Sequence, residues 1–181
     1  MIRRSHRCWV ISLYIFVTAF HMASTAAQEA SSAEVKAAFL YNFGLYIDWP
    51  NGALSDVFDI AVVGDDEVAE QLPRFVQGRK IHDKTVRIKK IRSIADFDGA
   101  QVLYIGSNAQ VSTQEMQKLI DRRGLLVVTD NARRLNSVIN FVDVGNRIRF
   151  EIFLNPAERA GLKLNSRLLG AAVQVEQSAV H

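Results

Sequence analysis

Three largely apolar runs organise the middle of this chain: FDIAVVG ending at Gly64, AQVLYIG ending at Gly106, and LLVVTD ending at Asp130. Continuous apolar runs of that length, closed by glycine or a polar residue, are the pattern of strands covered on both faces. Between them the period changes. Asp65 and Asp66 can cap a helix over 67–75, and Ser112 or Thr113 can cap another through Arg122, with Glu115 placed for a capping box and Gly124 as the stop. KTVRIKKI, residues 84–91, alternates polar and apolar as a half-covered strand does. Strand and helix alternating at this interval predict a mostly parallel sheet with helices on both faces.

The two ends of the pattern differ. Val35, Phe39, Asn42, Phe43, Tyr46 and Ile47 recur at helical spacing and predict a helix over 32–48, ended by Pro50 and Asn51-Gly52. Its broad aromatic stripe suits packing on a sheet. SVINFVDV and RIRFEIFL are alternating strands joined by Gly145-Asn146, which predicts an antiparallel hairpin at the sheet margin. A short helix over 156–160 ends at Gly161, and a last helix spans 166–175. The expected fold is an α/β, three-layer sandwich with a mostly parallel sheet and an antiparallel C-terminal hairpin at its margin.

Residues 1–27 fit none of this. Arg3, Arg4 and Arg7 precede an apolar stretch from Trp9 to Phe20, and small residues from Ala23 to Ala27 follow. That order is the pattern of a cleavable export signal, and the stretch is shorter than the roughly 20 residues a spanning helix needs. The expectation is a signal peptide over 1–27 and a single domain over 28–181, without stable membrane insertion after cleavage. The full chain has 22 Lys and Arg against 19 Asp and Glu, but three of the arginines and none of the acids precede Gln28. The exported part is therefore neutral, which offers none of the basic surface that nucleic-acid binding draws on. Its one cysteine, Cys8, lies within the signal, so the exported part has no disulfide, thiolate nucleophile or cysteine metal site.

The chain carries few of the residue patterns that catalysis needs. Beyond the signal there are only two histidines, His82 and His181, and no nucleophile elbow, dinucleotide fingerprint or phosphate loop. No cofactor, metal site or catalytic residue is expected, and no enzyme activity. Asp65 and Asp66 with Glu67, and Ser107 with Asn108, stand at predicted strand ends, where α/β proteins place ligands. Helix capping and turn formation are the plainer readings of the same residues. Lys84, Arg87, Lys89, Lys90 and Arg92 make a basic stripe on one strand, suited to an acidic partner or to guarding a sheet edge. Arg147, Arg149 and Glu151 share one face of the last long strand, free to pair with each other, with Asp143, or with a partner. Downstream, Arg159, Lys163 and Arg167 are mixed with Leu162, Leu164, Leu168 and Leu169, an interface pattern or a core helix.

Two segments resemble a known family. VKAAFLYNFGLYIDWP, residues 35–50, is similar to the opening helix of the YfiR-like periplasmic proteins. VINFVDVGNRIRFEIFLNPAERAGLKLNSRLL, residues 138–169, is similar to their closing hairpin and helix, and VVGDD and GLLVVTD fit between them in order. The resemblance implies a periplasmic, dimeric regulator that represses an inner-membrane diguanylate cyclase by docking on its periplasmic domain, limiting cyclic di-GMP and biofilm formation. The docking residues expected are Arg149, Glu151, Arg159, Lys163, Arg167 and Leu168. The alternative is a periplasmic small-molecule binding protein for another membrane receptor, with its ligand at Asp65, Asp66, Ser107 and Asn108. Two departures stand out: Phe153 and Leu154 interrupt the family's F-E-I-N run before the helix, and the cysteine pairs some members carry are absent.

Overall fold

The structure is a computed structural model that describes residues 30–132 and 137–177. The export signal expected over 1–27, and His181, lie outside those residues. Helix α1 (Ser32–Tyr46) starts at a closed capping box. The Ser31 hydroxyl accepts from the Glu34 amide at 3.1 Å, and the Glu34 carboxylate accepts from the Ser31 amide at 2.9 Å. The helix ends two residues earlier than its spacing predicts. Ile47 and Asp48 are extended instead, as strand β1 (Ile47–Asp48) of a separate two-stranded sheet. Tertiary partners take up the carbonyls the helix end leaves free. Asn165 N–H donates to Tyr46 O at 3.1 Å, and His82 Nε2 lies 3.0 Å from Gly44 O and 3.1 Å from Ile47 O.

The main sheet follows the predicted alternation. Strand β2 (Val57–Val63) leads through α2 (Asp66–Val76) to a hairpin of β3 (Lys80–Ile81) and β4 (Lys84–Lys90), with β4 lying parallel beside β2. The chain then crosses to the other side of β2 and builds outward through β5 (Val102–Ile105), α3 (Thr113–Ile120), β6 (Leu126–Asp130) and β7 (Ile139–Val144), all parallel. Strand β8 (Arg147–Phe153) returns antiparallel to β7 across the Gly145-Asn146 turn. After α4 (Leu154–Arg159), β9 (Lys163–Leu164) pairs with β1, α5 (Ser166–Ala171) follows, and β10 (Gln174–Glu176) closes the sheet edge beside β8. The eight strands stand in the order β10-β8-β7-β6-β5-β2-β4-β3.

The last helix is therefore shorter than its expected span of 166–175. Gly170 weakens its final turn, and Val173 to Glu176 alternate apolar and polar, a period that suits pairing with β8 better than a helix. Three layers result. Phe58, Ile60 and Val62 of β2 face a core shared with α1, α2, Leu162 and Leu168, while Ala61 and Val63 face a second core under α3. In the first core Phe39, Phe43, Phe141 and Phe150 form a ring cluster, with centroids 5.0–5.9 Å apart.

Candidate functional site

Strand order reverses between β2 and β5, so their carboxyl ends form the crevice where open α/β sheets usually hold ligands. The expected ligand residues meet there, but they are engaged with the fold. The Asp65 carboxylate caps α2 by accepting from the Val68 amide at 3.0 Å, and its other oxygen accepts from the Tyr104 hydroxyl at 2.9 Å. Asp66 pairs with Lys90 at 2.9 Å. The loop after β5 folds over the crevice: Gly106 N–H donates to Val63 O at 2.8 Å and Asn108 N–H to Gly64 O at 3.3 Å. A Cβ on Gly64 would lie 2.3 Å from the Ala109 nitrogen, and one on Gly106 would lie 2.5 Å from Asp65 Cβ. Two loops in such contact leave Ser107 and Asn108 exposed on the turn above.

Beneath this closure lies a polar cluster that the sequence reading missed. Lys36, on the inner stripe of α1 with Ala33, Ala37 and Leu40, reaches Asp130 at 2.7 Å and Asp65 at 3.9 Å. The Tyr104 hydroxyl bridges the two carboxylates, at 2.9 Å from Asp65 and 3.5 Å from Asp130. Burial, with both acids beside it, pushes the Tyr104 hydroxyl above its ordinary range, so it stays a neutral donor. Asn131, in the left-handed region at φ 50°, extends the network by donating to Asp143 at 3.1 Å. The signals were a lysine on an otherwise apolar helix stripe and an aspartate closing an apolar strand. Together the cluster ties α1 to the carboxyl ends of three strands.

The basic stripe is mostly neutralised. Arg87 makes a two-pronged contact with Asp59 on the neighbouring strand, at 2.7 and 2.8 Å, and Lys89 pairs with Asp59 at 3.4 Å and Asp98 at 2.9 Å. The Arg87 bond, with Lys89 beside it, holds the Asp59 carboxyl below its ordinary range against the opposing effect of burial. These residues stitch β4 to β2.

The residues expected to dock a partner are not brought together on one surface. Along β8 exposure falls from Arg147 through Arg149 to Glu151, which is 6% exposed and accepts from Asn140 Nδ2 at 3.3 Å. Glu151 lies opposite Asn140 in the hairpin register, and Arg149 opposite Val142. Leu168, 3% exposed, belongs to the core with Leu162. Arg159, Lys163 and Arg167 are exposed near the carboxyl end of α1, where Lys163 lies opposite Asp48, and Arg159 pairs with Asp121 at 3.1 Å. Arg149 sits toward the other end of α1, in a groove of about 480 Å³ that the hairpin forms with Ala30, Val35 and Phe39. Fifteen helical residues at about 1.5 Å each separate the two ends by roughly 20 Å.

Among the described residues no helix is long and apolar enough to cross a membrane, and no group of three His, Cys, Asp or Glu side chains is placed to hold a metal ion.

The family model described as YfiR/HmsC-like matches residues 33–173. The chain belongs to the YfiR/HmsC-like family. No curated protein matches the chain. A solved structure, the crystal structure of a conserved domain protein from Vibrio cholerae O1 biovar El Tor str. N16961, is similar at 14% identity and a TM-score of 0.45. The match covers 81% of this chain and 60% of that one.

Proposed function

We propose that this protein is exported through a cleaved signal and represses an inner-membrane diguanylate cyclase by docking on its periplasmic domain. The family match over residues 33–173 carries the reading. Docking selects the inactive arrangement of the cyclase and shifts its population, as any ligand with unequal affinity for two states does. Moving such an equilibrium from 1:99 to 99:1 takes about a 10⁴-fold preference for one state, so the interface must be specific to that state.

The dock draws on cations of the carboxyl third at two separate places, the half-buried Arg149 beside the start of α1 and the exposed Arg159, Lys163 and Arg167 near its far end. Glu151 and Leu168 serve the fold, because a charge reversal or truncation there would open the sheet or the core. Deleting the gene is expected to raise cellular cyclic di-GMP, and the exported wild-type protein to lower it again. Arg149→Glu with Arg167→Glu should fail to restore repression while melting like wild type. Unchanged cyclic di-GMP in the deletion would sink the repressor reading, and full repression by the folded double variant would sink the placement of the dock.

A further inference from the structure

Helix α1 is apolar on both of its sides, although a helix that covers only a sheet has a polar outer face. Its inner stripe packs on the sheet. A second stripe, with Val35, Ala38 and the outer edge of Phe39, whose ring also packs on Phe141 and Phe150 of the sheet, lines a groove of about 620 Å³ whose other wall is α2, with Gln71, Arg74 and Phe75. That volume lies within the range of small-ligand sites. The slot is too narrow for a partner helix: α1 and α2 already touch through Tyr41 and Phe75, with ring centroids 5.7 Å apart, and a helix with its side chains is about 10–12 Å across. Ala38 leaves room for a thin, flexible body.

Charge and hydrogen bonding give the slot a direction. Phe75 meets Tyr41, which puts the adjacent Arg74 near the carboxyl half of α1, where Asn42 lines the same groove. Among the described residues Arg74 has no carboxylate partner, and neither Asn42 nor Gln71 has a side-chain hydrogen bond. Arg87, Lys89 and Lys90 of β4, by contrast, are each paired with an acid. The one carboxylate among the described lining residues, Glu34, is held at the opposite end of α1 by its cap to Ser31. We propose that this groove binds a small anionic amphiphile of the free fatty-acid class. Its carboxylate takes the Arg74 guanidinium with Asn42 and Gln71 in support, and its acyl chain lies on Val35, Ala38 and Phe39.

The test is titration of the purified mature protein with dodecanoate below its micellar concentration, followed by calorimetry and by amide NMR shifts, with dodecanol as the uncharged control. Saturable dodecanoate binding is expected, with shifts confined to α1 and α2 and dodecanol weaker by about tenfold, the worth of one charge-assisted bond. Arg74→Ala should remove the preference for the anion. Ala38→Phe should block both probes, with an unchanged melting midpoint as proof of folding. No saturable binding by wild type, or equal binding by wild type and both variants, would overturn the proposal. Loss of self-association by the Ala38→Phe variant without any dodecanoate binding by wild type would assign the groove to a second copy and overturn it as well.

Discussion

Lys36 shows how a single residue can be decisive without being conspicuous. It occupies a buried position of α1, where an ammonium without a partner would not be tolerated, and Asp130 meets it at 2.7 Å with side-chain exposures of 11% and 5%. Removing one partner strands the other. Lys36→Met is expected to cost about 3–5 kcal/mol by leaving Asp130 charged and buried. For a domain of this size that lowers the melting midpoint by roughly 10 °C. Adding Asp130→Asn should recover much of the loss. Thermal melts of the two single variants and the double variant give the coupling directly, and a Lys36→Met protein that melts like wild type would show that the pair contributes nothing. The lysine was visible in the sequence as a polar interruption of an apolar helix, but its partner lies 94 residues away and no local pattern names it.

At the scale of elements, pairing between strands decides what the charges do. The stripe on β4 reads in isolation as a basic surface; beside β2 it becomes a ladder to Asp59. Because Asp59 is held below its ordinary value of 3.8 in the folded protein, its contribution is present above that value and is lost as pH falls through the lower folded value. Wild type should therefore be more stable than Asp59→Asn near neutral pH, with the difference closing between about pH 5 and pH 2. Urea denaturation across that range measures it, and a gap independent of pH would refute the role given to the carboxylate. Pairing also explains the two boundary errors. Ile47-Asp48 and residues 174–175 continue helical runs in the local pattern, but β9 and β8 claim them as strands. Such competition is tertiary and leaves little trace in a local period. The long apolar runs, which no partner could convert to anything else, were read within a residue or two.

Across the whole molecule, the sheet order brings the strand-end loops of β2 and β5 together, and their fit leaves no room for side chains. Gly64 stands at φ 70° against the Ala109 backbone. Gly64→Ala should therefore cost at least about 2 kcal/mol, from the left-handed backbone and the forced displacement of the facing loop. Equilibrium unfolding tests this, and a change below about 0.5 kcal/mol would mean that the loops yield freely. There the two loops pack on each other above Lys36, Asp65, Tyr104 and Asp130. The open binding surface lies on the outer side of α1.

The sequence by itself determined the layered α/β class, the positions of the buried strands, the capping box at Ser112, the hairpin at Gly145-Asn146 and the family resemblance. Each of these depends on neighbours within a few residues, or on a period that burial imposes along one element. Only the tertiary structure decided which charged groups are paired, which leucines belong to the core, which strand-end loops meet, and that α1 keeps an apolar face outward. Those properties depend on which segments meet across the sheet, and side chains 28 to 94 residues apart, such as Asp59 with Arg87 and Lys36 with Asp130, acquire their roles only when folding desolvates them together.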